Sequence, residues 1–323
     1  VAQPVDILPP EANQVLISAN PKAGRSAALD RAGQLAELLE KHGFAVDLST
    51  DLGEICKRAN RLHAEGRLRA LVGVGGDGTA AELVNRTDPG VPITFLAAGT
   101  ANLISKHFHL GHSPERIRDT IVAGRVLKLD AGSASGRLFL IMVGCGFDAD
   151  VVRQVHASRE RHAAKRGRFG YLNYLGPLLR SIRGYQYPEI LVYWDVSGQS
   201  AADAWSEPLA ARWAFVFNLP CYGWGLPLAP EAVGTDGLLD LCSFVGGSLA
   251  SGLRYLLAAE FGGRHQRMAD CRIRRAHRFR ITAEEAVPYQ LDGDFGGYLP
   301  LDVEVLPERV TLVVPPPKVE RGK

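Results

Sequence analysis

Residues 14–19 (Gln-Val-Leu-Ile-Ser-Ala) form a short apolar, β-prone run that stops at Asn20-Pro21. Behind it the hydrophobic spacing changes. Leu29, Leu35, Leu38 and Leu39 fall near every 3.6 residues, and Gly43 stands where a helix C-terminal cap belongs. Alternation over 44–48 predicts a strand, 52–65 a helix, 69–74 a buried strand, 75–79 a turn and 80–85 the start of a helix. Residues 93–97 read as a strand, followed by Gly99-Thr100 and a helix through His107. Strands alternating with helices predict parallel βαβ units, hence a sheet with helices on both faces. Near Lys128 the pattern turns to strands: 138–143, 189–195, 213–218, 238–244, 271–281 and 287–291, then 303–305 and 310–314. Helical stretches at 166–183 and 248–262 interrupt them. The fold expected is α/β: a three-layer N-terminal domain (1–132) and an antiparallel β-sandwich (133–305). Residues 306–323 form a last strand and tail that return to the first domain.

The length, 323 residues, agrees with two domains, and 46% hydrophobic with 22% charged residues is ordinary for a globular protein. A formal net charge of +2 gives no electrostatic case for nucleic acid. Cys56, Cys145, Cys221, Cys242 and Cys271 are dispersed without a CxxC pair, which reads as reduced thiols in a cytoplasmic protein. The first residues lack the basic and apolar regions of a signal peptide, and the longest apolar run, 138–147, is too short to cross a bilayer. Membrane contact is therefore expected to be peripheral.

Three glycine-containing turns, each between a strand and a helix, carry the candidate chemistry. They are Asn20-Pro21-Lys22-Ala23-Gly24, Gly75-Gly76-Asp77-Gly78-Thr79 and Gly99-Thr100-Ala101-Asn102. Amides at a helix start, with the helix dipole, bind anions, and glycine lets backbone approach a ligand. Thr79 with Glu82 reads as a capping box that starts its helix at the turn. In an open α/β sheet such turns gather at the carboxyl ends of parallel strands, where ligands bind. The P-loop pattern GxxxxGK[ST] is absent, so amides and a divalent cation, rather than a loop lysine, would offset nucleotide charge.

These motifs, in this order, resemble the diacylglycerol kinase catalytic-domain family, which includes soluble bacterial diacylglycerol kinases, sphingosine kinases and ceramide kinases. The resemblance continues through Asp130-Ala-Gly132, Gly144-Cys-Gly146-Phe147-Asp148, Ala229-Pro230 to Asp236-Gly237, and Asp292-Gly293-Asp294. It implies an ATP-dependent kinase whose acceptor is the hydroxyl of a membrane lipid, with the active site between the two domains. Asn20 to Gly24, Thr50, Gly75, Gly76, Asp77, Gly78, Thr79, Ala80, Ala81 and Thr100 match positions around ATP. Asp236, with main-chain oxygens of Val233 and Leu238, matches a structural Mg²⁺ site. Asp294 falls where bacterial members usually carry the glutamate that acts as general base, and Asp77 is the rival for that role. Asp77 and Asp130 are the expected ligands of the nucleotide's Mg²⁺.

Leu103, in place of an aspartate, and Ala97-Ala98, in place of Pro-Leu, depart from strict diacylglycerol kinases and leave sphingoid or ceramide-type acceptors open. An NAD kinase-like enzyme, which shares the GGDGT turn, and a catalytically inactive lipid- or nucleotide-binding homologue are the competing readings. Two basic stretches bear on membrane contact, Arg159 to Arg168 ahead of an apolar segment and Arg272 to Arg280; each reads equally as a solvated face or as a lipid-docking surface. Phe169, Tyr171, Leu175 and Trp224 are expected to line the acyl pocket. His107, His109 and His112 would not share a helix face and read as surface residues. A homodimer is left open.

Overall fold

The computed structural model describes residues 6–19, 26–163, 175–197 and 205–316. The chain divides into two compact units, 1–129 with 308–323, and 130–307.

In the first unit, β1 (Asp6–Ile7), β2 (Gln14–Ala19), α1 (Ser26–Glu40), β3 (Ala45–Ser49), α2 (Leu52–Ala64), β4 (Leu68–Gly75), α3 (Asp77–Arg86), β5 (Pro92–Ala97), α4 (Leu103–His107) and α5 (Pro114–Ala123) follow in order. The strands pair in parallel in the order β5-β4-β2-β3. The step from β2 to β3 runs one way across the sheet, and the step from β3 to β4 runs back. Right-handed crossovers therefore put α1 and α2 on opposite faces. α3 packs with α2 and α5 with α1, giving three layers. The reversal falls between β2 and β4, so a topological switch point lies at their carboxyl ends.

The expected α3 start was wrong in detail. The helix begins at Asp77, with Gly76 as an N-cap that offers no side-chain hydrogen bond. Thr79 is buried inside the first turn, and Glu82 pairs with Arg86 on the solvent side, so there is no capping box. The cause is steric: a Cβ on Gly75 would run into the Thr79 side chain, so the tight chain entry leaves Thr79 no room to act as a cap. At the opposite end of the sheet Arg69 is almost fully buried. Its guanidinium donates to the carbonyls of Ile121 (2.8 Å), Val122 (2.7 Å), Leu8 (3.2 Å) and Pro9 (3.3 Å). One cation thus closes the C-terminus of α5 and fixes the segment after β1.

β6 (Arg125–Ala134) carries the chain into the second unit, which continues through β7 (Arg137–Phe139), β8 (Met142–Cys145), α6 (Phe147–Ala163), α7 (Leu175–Gly184), β9 (Ile190–Asp195), β10 (Leu209–Ala211), β11 (Trp213–Phe217), β12 (Leu239–Phe244), α8 (Leu249–Glu260), β13 (Cys271–Ala276), β14 (Arg278–Thr282), β15 (Pro288–Leu291) and β16 (Asp294–Tyr298). β17 (Leu301–Val314) returns to the first unit, where Thr311 and Leu312 pair in parallel with β5. One sheet of the second unit has the order β13-β12-β11-β8-β15-β16, all antiparallel. The other contains β10-β9-β14 and the start of β17. Their shared core is written at period 2: Val143 and Cys145, Ile190 and Val192, Ala214 and Val216, Leu239 and Leu241, Phe279 and Ile281, Leu301 and Val303.

The single strand expected over 271–281 is two. Residues up to Ala276 pair with β12, whereas Arg278 onward pairs with β9 and β17, so the chain changes sheets at His277. β6, α5, α6 and the short β10 were not anticipated. No helix among the described residues is long and apolar enough to span a membrane.

Replacing Arg69 by alanine leaves its four carbonyls without their donor, so a loss of about 3 kcal/mol is expected. Urea unfolding measures it; a change below about 1 kcal/mol would mean that water satisfies those carbonyls equally well.

Candidate active site

The carboxyl ends of β3, β2, β4 and β5 stand side by side, with Ser49 opposite Ser18, Ala19 opposite Val74 and Gly75 opposite Ala97. The chain leaves these ends through Thr50, residues 20–24, Gly76 and Ala98, so the three turns named from sequence start from neighbouring strand ends. Residues 20–24 themselves (Asn20, Pro21, Lys22, Ala23 and Gly24) lie outside the described residues. Thr50 and Thr100 are exposed there.

The second and third turns touch through main chain. A Cβ on Gly99 would stand 2.5 Å from the Gly76 Cα, and one on Gly76 would be 3.1 Å from the Gly99 Cα. Position 99 has no room for a side chain, and one at 76 would require the facing turn to give by a few tenths of an ångström. Ala98 N–H donates to Gly75 O (2.8 Å), and Asn102, in the left-handed region at φ 50°, closes its own turn through Gly99 N–H (3.0 Å) and Gly99 O (2.8 Å). Asp77, first residue of α3, accepts the Ile104 N–H of α4 at 3.2 Å. One carboxylate therefore holds two helix starts together. Gly78 differs from its neighbours, because a Cβ there meets nothing within 4 Å among the described residues. Packing does not require glycine at 78, and the absent side chain leaves the α3 N-terminus open to solvent. Ala80 and Ala81 are buried behind it. Arg31, which sequence reasoning passed over, reaches from α1 to Ala97 O (2.9 Å) and to His112 O, bringing a guanidinium to this end of the sheet.

In the second unit Asp292 and Gly293 form a two-residue hairpin loop with φ of 50° and 89°, as an Asp-Gly turn of type I′ requires. The Asp292 carboxylate accepts N–H groups from Leu140 (2.7 Å), Ile141 (2.9 Å) and Met142 (2.9 Å), which fixes the hairpin against the segment between β7 and β8. Asp294 follows, partly exposed, with its Oδ2 3.3 Å from Arg137. Behind the hairpin Gln290 donates to Asp148 Oδ2 (3.2 Å) and accepts Gly293 N–H (2.7 Å). Asp148, the second residue of α6, is partly buried; a Cβ on Gly144 would come within 2.7 Å of its carboxylate. Its Oδ1 has no hydrogen-bond partner among the described residues, and burial pushes the carboxyl up to about 6. Sequence reasoning recorded the motif around Asp148 but gave that residue no role. The signal present was a carboxylate between an apolar strand and a helix start.

Asp130 was expected to reach a nucleotide's metal ion. It is 2% exposed, and its Oδ2 accepts Gly237 N–H at 2.8 Å while its N–H donates to Gly234 O at 2.9 Å. Asn218 adds a bond to Asp130 O (3.0 Å). Asp130 therefore anchors the loop that carries Val233, Asp236 and Leu238. In that loop Asp236 Oδ1 accepts Leu238 N–H (3.1 Å) and Oδ2 pairs with Arg275, which also lies 3.1 Å from the buried Asp240. Burial raises the Asp240 carboxyl to about 6 against the pull of Arg275. Arg275 therefore balances the Asp236 carboxylate on the loop where the resemblance implies a structural Mg²⁺. No cluster of three or more His, Cys, Asp or Glu side chains suited to a metal occurs among the described residues.

The basic stretch 272–280 is largely compensated: Arg275 pairs with Asp236 and Asp240, Arg278 with Asp195 and Arg280 with Asp302. That weakens its reading as a lipid-docking surface. The side chains of Arg159, Arg161, Leu175 and Trp224 lie outside the described set, as do Lys165, Arg166, Arg168, Phe169 and Tyr171.

A folded-state value near 6 for Asp148 lies above the ordinary carboxylate value of about 4, so the native state binds this proton more tightly than the unfolded chain. The associated stability is complete below pH ~4 and is lost as pH rises through ~6. Asp148→Asn should therefore gain about 3 kcal/mol over wild type at pH 7 and little at pH 4, read by denaturant titration. A pH-independent difference between the two proteins would place the Asp148 proton elsewhere.

Comparison with known proteins agrees with this geometry. Residues 14–134 match the diacylglycerol kinase catalytic domain, and residues 141–314 match the YegS C-terminal NAD kinase beta sandwich-like domain. The diacylglycerol kinase of Mycobacterium tuberculosis is 28% identical over 94% of this chain and 96% of its own length; that of Bacillus subtilis is 24% identical over the same shares. The crystal structure of a putative diacylglycerol kinase from Bacillus anthracis superposes with a TM-score of 0.67 at 20% identity, covering 94% of this chain and 98% of that one. Two consecutive family matches, on a parallel sheet with glycine turns at its carboxyl end and an antiparallel β unit after it, establish the assignment: the chain belongs to the diacylglycerol kinase catalytic-domain family of kinases.

Proposed function

We propose that this protein is an ATP-dependent lipid kinase that transfers the γ-phosphoryl group of Mg–ATP to a hydroxyl of a membrane lipid, of the diacylglycerol or sphingoid and ceramide type. The observation that carries the reading is the main-chain contact of Gly76 with Gly99 beside an open helix start at Gly78. Phosphates bind there through amides and the dipole of α3, without a P-loop lysine. The nucleotide would bring its own Mg²⁺, and Asp77, at the start of α3, is the carboxylate that would hold it. Asp294 takes the proton from the acceptor hydroxyl. The acceptor oxygen then forms its bond to the γ-phosphorus as the bond to the β-phosphate oxygen breaks, releasing ADP. The match to relatives named diacylglycerol kinase along nearly the whole chain supports a lipid acceptor. The enzyme works at a cytoplasmic membrane surface, as a peripheral protein.

Labelled ATP with a total lipid extract, the product identified by mass, tests the reaction; NAD offered in parallel tests the NAD kinase alternative. A phosphorylated lipid is expected. Labelled NADP instead, or no transfer to any acceptor, would overturn the proposal in favour of the small-molecule or the inactive reading. Asp77→Asn keeps an acceptor for Ile104 N–H, and Asp294→Asn keeps the shape of the hairpin. Each should lower kcat at least about 100-fold with the fold intact. Turnover close to wild type in either variant removes that residue from the mechanism.

A further inference from the structure

Helix α8 presents its faces the wrong way round for a helix in a soluble protein. Its inner face carries Gly252, Tyr255 and Ala259, all buried. A Cβ on Gly252 would lie 2.6 Å from the Trp213 ring, so the helix sits directly on β11. Tyr255 stacks on Phe244 with ring centroids 4.1 Å apart, donates to Asp270 (2.6 Å) and accepts Gly246 N–H (3.0 Å). Ser248 caps the helix start by accepting Ser251 N–H. The helix is thus anchored by small residues, one tyrosine and a cap.

Its leucines point to solvent. Leu249, Leu253, Leu256 and Leu257, at spacings of i, i+4, i+7 and i+8, share one face, with Leu253 58% and Leu257 50% exposed. Phe261, directly after the helix, is 65% exposed, and Val245 before it is exposed as well. Together they present on the order of 500 Å² of apolar surface, in the range where an exposed patch marks an interaction site. The rim is basic. Arg264 and Arg267 are exposed on the turn packed beside α8, and neither pairs with a carboxylate among the described residues. Arg254 is engaged with Asp270, and Glu260 is the acidic residue at the edge.

We propose that α8 and Phe261 dock this protein on an anionic lipid surface. Twelve residues of helix span about 18 Å, too short to cross a bilayer. The helix instead lies in the plane of the interface, with Leu249, Leu253, Leu257 and Phe261 in the headgroup–acyl boundary and Arg264 and Arg267 against lipid phosphates. Charge favours this occupant over a second copy of the chain, because Arg264 and Arg267, with no carboxylate partner among the described residues, complement lipid phosphates, while Asp270 at the same edge is already engaged with Arg254. The choice of a membrane as partner rests on the lipid-kinase reading, but the binding itself does not involve the reaction.

Flotation with vesicles of phosphatidylglycerol and phosphatidylcholine tests the proposal without ATP. Leu253→Asp with Leu257→Asp should lower partitioning at least about 10-fold. Arg264→Gln with Arg267→Gln should lower it about 10-fold on anionic vesicles only, and high salt should erase that difference. All these positions are exposed, and an unchanged circular dichroism spectrum and Tm confirm the fold. Equal partitioning of the leucine variant and wild type overturns the proposal. So does a wild-type dimer that the leucine variant abolishes while vesicles go unbound, since that gives the face to a second copy. Transfer to a water-soluble short-chain acceptor separates the two readings: the leucine variant should keep wild-type turnover there and lose it on vesicle-borne lipid. Wild-type protein that binds vesicles yet phosphorylates no lipid in either form refutes the kinase reading and leaves the docking surface standing.

Discussion

Two strand-to-helix turns can lie against each other only if neither carries a side chain, and the first unit depends on that constraint. Gly76 and Gly99 meet through main chain, and a methyl group on either would push the turns apart. The contact brings the starts of α3 and α4 together, and the Asp77 carboxylate bridges them by accepting from Ile104. Helix starts expose amides without intrahelical partners, so the same packing that closes the sheet end also gathers positive potential there. Fold and candidate chemistry follow from one steric fact.

The second unit applies a different device, carboxylates turned inward that hold loops. Asp292 gathers three consecutive amides, Asp130 ties the loop at 234–237, and Asp148 reaches the hairpin through Gln290. Asp292 and Asp130 are satisfied by main-chain donors, whereas Asp148 keeps an oxygen without a partner among the described residues and a raised pKa. A carboxylate that accepts amides stabilises its loop, and one left short of donors prefers to hold a proton. Asp236 shows a third solution, compensation by a neighbouring guanidinium.

Much of this architecture was legible in the sequence because it is local. The parallel βαβ run was readable from apolar runs separated by glycine turns. Features that depend on partners distant in sequence were not. The role of Asp77 requires Ile104, 27 residues on, and the break at His277 reflects a change of sheet that a run of alternating residues cannot reveal. α6 was missed because its apolar positions are few; Phe147, Ala149 and Val155 are buried, and polar ties such as Ser181 to Asp150 and Gln154 to Ser181 add to them. α5 is a different failure, since its signals, Ser113-Pro114 at the start and Gly124 in the left-handed region at the end, were present and unused. The leucines of α8 were visible as helical, but only the packing of Gly252 on Trp213 fixes which way they face.

The central claim is that amides at the start of α3 receive the nucleotide's phosphates, and Gly78 offers the most direct test. No described residue stands within 4 Å of a Cβ built there and its backbone is helical, so Gly78→Leu should fold with a Tm equal to or above wild type. The new side chain would occupy the space assigned to phosphate. Calorimetric titration with a non-hydrolysable Mg–ATP analogue should then show affinity at least about 10-fold weaker than wild type. Unchanged affinity in a folded Gly78→Leu protein would contradict the account, because the phosphates would have to bind elsewhere.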